Sequence, residues 1–502
     1  MKNLWINRIR KFSAILLIVV VAFFTSSCKS ELQKISKNLS TYTITASYDE
    51  YSHTITAFQK VKYVNNNEVP LSELKFHLYP NAFRKGAKIK PITDNETVIK
   101  NAYPNGESYG DIIINKVFVS GKEANFSIGG EDRNVMTVKF PMELYPDASF
   151  TIEFDFLLRL ANTPHRLGYT DRCVNLGNWF PIACVYENGD YVTYAYYSNG
   201  DPFYSEVANY NVELSLDSDY FVASTGRNIG TILKGKTKTL KYEAYAVRDF
   251  AFVLSKDFLT VSASAGNVSI TYFYYDDEEA QASLKSAVDA VNTFSAMFGS
   301  YPYSHLNVVK TPFIHGGMEY PNLIYISDSV VDRDAYLETI IHETAHQWWY
   351  SLVGNDQVKH GWLDEGLTEY TTTVFYEKNP SYNQNHADRI MQTMQHYLVY
   401  IEMHKRVYGE TDTSMNRPSY AYKNEYEYVC MTYVKGELMF CNIRKIIGDS
   451  DFFAALKKYY ERSKYKVTTP QDLIGAFEDT SKKDLEGIFD AWLEGRVYLG
   501  DW

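Results

Sequence analysis

The chain has 502 residues, more than one typical domain holds, and its 61 acidic and 50 basic side chains give a formal net charge of −11. No basic stripe is available to neutralise phosphates, so this balance argues against nucleic acid as the main partner. We therefore expect several domains with an acidic, soluble surface.

The first 28 residues have the features of an export signal. Four cations and no acid precede an unbroken run of 11 apolar residues, Ala14–Phe24, which is shorter than the about 20 residues that a membrane span needs. The following "TSSC" resembles a bacterial lipobox, with Thr25 where leucine is usual. The resemblance implies an exported lipoprotein, acylated at Cys28 and anchored to the bacterial outer membrane, facing the periplasm or the cell surface. The alternative is ordinary signal cleavage beside a chance cysteine.

Four further cysteines lack the spacing of a zinc site, so any metal must use other ligands. Cys173 and Cys184 lie 11 residues apart in a turn-rich stretch, and whether they pair stays open. Cys430 and Cys441 are predicted on one helix, about 16 Å apart, which is too far for a disulfide.

The hydrophobic pattern divides the mature chain in two. From 41 to 262, apolar residues alternate with polar ones, as in Tyr42, Ile44, Ala46 and Tyr48, and turn clusters separate the runs. This predicts an antiparallel β-sandwich or saddle domain with one buried face. From 263 to 502 helical periodicity dominates. We assign 1–28 to the signal peptide, 29–40 to a linker, 41–262 to the β domain and 263–502 to a mostly helical domain.

A metal-binding pattern lies in the second half, in "IIHETAHQWW". His342 and His346 are four residues apart on a predicted helix, 334–354, so both imidazoles face one ion. Glu343 is offset from that line, where it could hold a water molecule. The spacing alone leaves open a helix with two satisfied histidines.

A third ligand is available in "WLDEGLTEY". Glu365 is separated from His346 by 18 residues and begins the next predicted helix. Two histidines, one glutamate and an open fourth position form a typical catalytic zinc site, and these ligand types suit zinc. Glu369, one turn later, is a candidate to accept the second ring N–H of one histidine.

The pattern HExxH, 18 residues and glutamate resembles the gluzincins of the aminopeptidase N family of zinc metallopeptidases. "GGMEYP" (Gly316–Pro321) is similar to the exopeptidase motif of that family, with Tyr320 where many members have asparagine. "YVKG" resembles the segment that carries the family's catalytic tyrosine. "LKFHLYPNAF", "GNWFPIACVYENGDY" and the segment 468–495 resemble other parts of the family's β and thermolysin-like domains.

The resemblance implies a minimal two-domain zinc aminopeptidase with one zinc ion per chain and an open active site. His342, His346 and Glu365 would bind zinc, Glu343 would be the general base and Tyr433 would stabilise the oxyanion. The substrate-binding residues implied by the resemblance are Gly316, Gly317, Met318, Tyr428 and Glu319, the last of which would pair with the free amino terminus of the peptide. His315, beside the glycines, is expected to be structural.

Two alternatives remain. The departure at Tyr320 and the short chain are compatible with a zinc endopeptidase that does not need a free amino terminus. A non-catalytic surface lipoprotein with a gluzincin shell is the other alternative, but Glu343, Glu365 and Tyr433 are all present, which argues against it. The preferred first residue, the physiological substrate, the oligomeric state and the membrane leaflet do not follow from the sequence.

Overall fold

The computed structural model describes residues 31–32, 34–93, 95–497 and 499. The predicted signal peptide and Cys28 lie outside these residues. Among the described residues, no helix combines the length and apolar character that crossing a membrane requires.

The N-terminal half is built around one large twisted sheet of eight strands. Alternation of buried and exposed side chains, as in Thr41–Asp49, gives each long strand one core-facing side. In spatial order the strands are Arg227–Lys234, Thr237–Val247, Ala208–Asp217, Thr41–Asp49, Thr54–Val64, Ser149–Arg159, Asp111–Val119 and Lys122–Glu123. Every neighbouring pair is antiparallel except Thr41–Asp49 with Ala208–Asp217, which is parallel.

Smaller sheets cover the core face of this sheet and reach toward the second half of the chain. One contains Phe221–Ser224, Phe252–Ser255, Val174–Leu176 and Leu167–Tyr169, and another contains Ile182–Ala183, Leu71–His77, Val135–Leu144 and Phe126–Gly129. Tyr186–Glu187 pairs with Asp190–Tyr191. The helical elements here are Tyr79–Phe83 and Glu96–Ala102.

A five-stranded sheet begins the C-terminal half. Its order is Leu259–Ala265, Val268–Tyr274, His305–Thr311, Leu323–Ser327 and Gly317–Met318, so the last of these is an edge strand. The predicted domain boundary at 262 thus falls within a strand that pairs toward the C-terminal side. Among the described residues, the α-helices of this half are Ala280–Met297, Arg333–Ala345, Leu367–Lys378, His386–Tyr408, Glu425–Val429, Lys435–Ile447, Asp449–Ser463, Pro470–Ser481 and Glu486–Leu493. A β domain followed by a helical domain confirms the predicted fold class.

Two local differences from the sequence-based expectations stand out, and one question that the sequence left open is answered. The helix predicted over 334–354 ends at Ala345, and after an irregular turn, Gln347–Leu352, residues Val353–Asn355 form a strand with Lys466–Thr468. Residues 31–32 and 34–36 of the predicted linker are helical. All four described cysteines are buried free thiols, so Cys173 and Cys184 do not pair.

Candidate active site

The two histidines lie at the C-terminal end of the helix Arg333–Ala345, which we call the histidine helix. Asp332 caps its N-terminus by accepting a hydrogen bond from the backbone N–H of Ala335. The regular helix ends at the second histidine because the chain turns there, and the carbonyl of Trp349 comes to 3.1 Å from Nδ1 of His346. This end of the helix is thereby fixed against the core.

Glu365 lies in the turn Trp362–Gly366, directly before the helix Leu367–Lys378. Gly366 packs against Gly436, and a Cβ on Gly436 would lie 2.6 Å from Cα of Gly366. Real Cβ atoms do not approach another carbon this closely, so the contact requires glycine. It brings the "WLDEG" and "YVKG" segments together and so places Glu365 beside Tyr433.

His342, His346 and Glu365 converge on one point. The two Nε2 atoms are 3.1 Å apart, and Oε2 of Glu365 lies 3.1 Å from Nε2 of His346 and 3.5 Å from Nε2 of His342. Tetrahedral ligands at zinc–ligand distances of about 2.0–2.1 Å are separated by about 3.3 Å from one another. The three atoms therefore have the separations that a tetrahedral zinc ion requires.

The opposite ring nitrogens are held by acceptors. Nδ1 of His342 is 2.9 Å from Oε2 of Glu369, the partner predicted for a ligand histidine, and Nδ1 of His346 is 2.9 Å from Oδ1 of Asp364. Acceptors of this kind place the proton on Nδ1, so the Nε2 lone pairs face each other. Positive charge must lie between them, supplied by protons or by a metal ion.

The local charges agree with this requirement. Burial lowers the pKa of His342, but hydrogen bonds to Glu365 and Glu369 outweigh it and raise the pKa to about 10. The net effect on His346 is also a raised pKa, because the carboxylates of Asp364 and Glu365 outweigh burial. A site that attracts protons this strongly fits a divalent cation, and binding of the cation would release them.

Glu343 has a free carboxylate oxygen beside the ligand set. Its Oε1 faces the edge strand, where a Cβ on Gly317 would overlap it, so glycine at 317 permits the approach. Its Oε2 is buried without a hydrogen-bond partner among the described residues. Burial raises the pKa of Glu343 to about 7, against the lowering effect of the two histidines. An unpartnered buried carboxylate oxygen is suited to hold a water molecule and accept its proton.

Tyr433 lies on the other side of the histidines. Its ring stacks on the imidazole of His342 at a centroid distance of 6.0 Å and an interplanar angle of 9°. Burial raises its pKa, and the carboxylate of Glu365 adds to the rise, so the hydroxyl stays protonated and can donate. Tyr428, whose ring meets that of Tyr433 edge-on at 6.1 Å, is buried behind it.

The side chains of the segment Gly316–Pro321, which resembles the exopeptidase motif, lie in different surroundings. Glu319 is buried, and its Oε1 accepts a hydrogen bond of 3.2 Å from Gln357. Burial raises the pKa of Glu319, and the nearby Asp201 adds to the rise. Met318 does not line the cavity, and its sulfur accepts a hydrogen bond of 3.0 Å from Nε of Arg166. Tyr320 does not line the cavity either, and its hydroxyl donates to Asn178 at 2.7 Å.

These residues share one cavity of about 530 Å³. Of the site residues predicted from the sequence, the cavity is lined by Gly316, Gly317, Glu319, His342, Glu343, His346, Glu365, Tyr428 and Tyr433, but not by Met318. His315, expected to be structural, also lines it. The sequence did not single out Arg166, Asp201 or Glu425, which reach the cavity from distant segments without a recognisable motif.

A second group of potential ligands overlaps the first. Carboxylate oxygens of Glu319 and Asp364 lie within 4.8 Å of a ring nitrogen of His346. Asp364 already accepts a hydrogen bond from Gln357 at 2.5 Å, and all three side chains are almost fully buried. This group lacks the open position that a catalytic metal needs, so His342, His346 and Glu365 are the better metal set.

A helix with the HExxH motif, together with a glutamate just before the next helix as the third candidate ligand, is typical of the class of zinc metallopeptidases called gluzincins. A β domain followed by a helical domain agrees with this class. Residues 282–492 match the model of the Peptidase family M1 domain. This match covers the part of the chain that holds the candidate metal site, and it agrees with the predicted resemblance to the aminopeptidase N family of zinc metallopeptidases.

Curated relatives include aminopeptidase N of Streptomyces lividans, 27% identical over 209 residues, and aminopeptidase M1-D of Oryza sativa subsp. japonica, 23% identical over 317 residues. The matches cover 39% and 58% of this chain, but only 24% and 35% of those relatives. The chain thus spans about a third or less of the length of these relatives.

Solved structures match over nearly the whole chain. The M1 zinc metallopeptidase from Deinococcus radiodurans has a TM-score of 0.64 at 14% identity, covering 92% of this chain and 94% of that one. A mutant of that enzyme bound to a Tyr-Ser-Ala substrate has a TM-score of 0.62 at 14% identity, with coverage of 92% and 95%. At this identity the likeness shows the shared fold.

Proposed function

We propose that this protein is a zinc aminopeptidase that removes the first residue of peptides, with one zinc ion per chain held by His342, His346 and Glu365. The match of residues 282–492 to the M1 family model and the spacing of these three side chains support the metal. The observation that carries the exopeptidase assignment is the buried carboxylate of Glu319, within 4.8 Å of a ring nitrogen of His346.

The position of Glu319 relates the amino terminus of a substrate to the first peptide bond. A peptide's α-nitrogen and the carbonyl carbon of the same residue are about 2.5 Å apart, from standard bond lengths and angles. An ammonium group on Glu319 therefore leaves the first carbonyl beside the histidines. A buried ammonium needs a carboxylate partner, so Glu319 would exclude peptides that lack a free amino terminus.

The chemistry follows from the groups around this carbonyl. Zinc, when bound, lowers the pKa of a water molecule and polarises the scissile carbonyl. Glu343 accepts the proton of the attacking water through its unpartnered Oε2 and passes it to the leaving amine. Tyr433 donates its hydroxyl to the developing oxyanion. Glu369 and Asp364 hold the two imidazoles in the tautomer that this requires.

A test that changes the substrate, the protein or both distinguishes this proposal from an endopeptidase. We would measure kcat/KM for a matched pair of free and N-acetylated peptides on the wild type and on Glu319→Ala. Removing one partner of a buried ion pair costs about 2–5 kcal/mol, so either change alone should lower kcat/KM roughly 30- to 5000-fold. Both changes together should cost little more than one.

The opposite results would contradict the proposal. If the wild type cleaves both peptides within about threefold of each other, the protein is an endopeptidase and Glu319 does not bind the amino terminus. If zinc binds fully and no peptide of either kind is cleaved, the non-catalytic alternative holds. Glu319→Gln, which keeps the size of the side chain, is the control for loss of packing.

We also propose that the protein is exported and anchored to the outer membrane through an acylated Cys28, facing the periplasm or the cell surface. The support is the basic segment, the apolar run Ala14–Phe24 and the small residues before Cys28.

A further inference from the structure

Besides Glu338, four side chains that carry a charge or an imidazole line the cavity without a part in the proposed reaction. Arg166 and Asp201 come from the N-terminal half, His315 precedes the edge strand, and Glu425 begins the helix Glu425–Val429. Arg166 is 3.0 Å from the sulfur of Met318, the residue next to Glu319. Since Glu319 would hold the ammonium group, this cluster lies beside the place of the first side chain.

The one guanidinium in the cluster is already neutralised. Arg166 is buried and forms an ion pair with Oδ1 of Asp201, with side-chain exposures of 8% and 7%. The rings of Phe203 and Phe313 lie 5.5 and 5.9 Å from its guanidinium carbon. Arg166 therefore has little freedom to turn toward an anionic substrate, and it does not give the cavity a net positive charge.

Two carboxylate oxygens of the cluster have no partner among the described residues. Oδ2 of Asp201 is one, since the ion pair with Arg166 uses Oδ1. Oε2 of Glu425 is the other, since His315 approaches Oε1 with its Nδ1 at 3.2 Å. The side chain of Glu425 is 45% exposed, so it can meet a substrate without a large rearrangement.

The net charge of the cavity also favours a cationic side chain on the substrate. Seven carboxylates line it, of which the proposed reaction uses four, and Arg166 is the only lysine or arginine among the lining residues. Arg389 pairs with Glu338 from outside the cavity. When all seven carboxylates are ionised and the histidines are neutral, two positive charges from zinc and one from an α-ammonium leave the cavity negative. A second positive charge on the substrate is therefore favoured over a neutral or negative one.

We propose that the preferred substrates are peptides whose first residue is arginine or lysine, with Glu425 and Asp201 as the acceptors of that side chain's cation. This inference rests on the proposed aminopeptidase function and names its substrate class. A guanidinium or ammonium group donates hydrogen bonds to the two free oxygens, which offsets the cost of removing the cation from water. Arg166 and His315 already hold the two carboxylates in place, so little side-chain entropy is lost when the cation binds.

Isosteric substrates test this directly. We would compare kcat/KM for fluorogenic amides of arginine and of citrulline, which differ in charge but hardly in shape, and of lysine and norleucine. The expected ratio is roughly tenfold or more in favour of the charged member of each pair. Glu425→Gln should lower the arginine-to-citrulline ratio at least about threefold. The matched control is Glu402→Gln, an exposed acid outside the cavity, which should leave the ratio as in the wild type.

The outcomes separate this inference from the function on which it rests. If neutral free-amine substrates are cleaved well and the wild-type ratios stay within about twofold, the specificity proposal is wrong and the aminopeptidase stands. If the ratio is high but Glu425→Gln does not change it, the assignment to Glu425 is wrong. If no free-amine substrate of any kind is cleaved by the zinc-loaded protein, both proposals fail.

Discussion

Oε2 of Glu365 lies 3.1 Å from Nε2 of His346, close to the separation of two ligands on one tetrahedral zinc ion. Glu343 follows His342 directly in the chain, yet it does not belong to this converging set. Two glutamates in one cavity thus differ in what they can bind.

The same chemical change at these two glutamates should therefore have different effects. Glu365→Gln removes a charged ligand, and we expect the purified variant to lose its zinc on dialysis. Glu343→Gln should keep about one zinc per chain but lose nearly all turnover, since its role is to move a proton. Metal analysis and hydrolysis of an amino-acid amide check both. Full zinc in Glu365→Gln, or near-normal kcat in Glu343→Gln, would refute the roles assigned.

Glu369→Gln tests the orientation of His342. The neutral amide no longer pairs with Nδ1 as a carboxylate does, so zinc affinity should fall roughly 10- to 100-fold. Competition with a chromophoric chelator measures this, with Glu402→Gln as the control for loss of one negative charge. Unchanged affinity would mean that Glu369 does not contribute to the site.

Tyr433→Phe should lower kcat by roughly 10²–10³, the usual effect of deleting one oxyanion donor. KM should change little, because this contact is made mainly in the transition state. Steady-state kinetics with a good amide substrate checks it. A raised KM with normal kcat would make Tyr433 a residue of the binding pocket only.

Glu437 should make stability depend on pH. It is buried, accepting hydrogen bonds from Thr373 and Thr393, and burial together with Glu369 raises its pKa from 4.5 to about 8. Between these two values the unfolded chain ionises while the folded one stays protonated, so stability falls as pH rises and the loss is complete above about pH 8.

Glu437→Gln removes this penalty. The gain in the free energy of unfolding over the wild type should therefore be larger at pH 8.5 than at pH 5, by up to about a few kcal/mol. This gain appears as a higher unfolding midpoint of the variant. Thermal unfolding at both pH values measures this. An equal offset at the two pH values would show that Glu437 does not titrate in this range.

Cys28→Ser, or an inhibitor of lipoprotein signal peptidase, should prevent acylation and move the protein from the membrane fraction to the soluble fraction. Fractionation and mass spectrometry of the mature amino terminus check this. A soluble, unmodified mature form in untreated cells would show that the segment before Cys28 is an ordinary signal peptide.

Local periodicity was sufficient to place the two histidines on one side of one helix and to predict the strands of the β domain. The i, i+4 spacing of the histidines and the alternation of Tyr42, Ile44 and Ala46 depend only on backbone geometry, so they were readable in the sequence. The parallel pairing of Thr41–Asp49 with Ala208–Asp217 could not be predicted, because alternation of apolar and polar residues does not specify which strands are neighbours. Likewise Asp201 and Arg166 reach the cavity only through tertiary packing, and no spacing relates them to the histidines.

The contact between Gly366 and Gly436 has a consequence for how substitutions in this protein will be read. Each glycine is close in sequence to a functional side chain, Glu365 or Tyr433, yet neither glycine lines the cavity. A single methyl group at either position would push two helices apart and misalign both side chains at once. In a mutational scan the pair would thus score like active-site residues, and only a compensating change elsewhere in the helix crossing could restore activity.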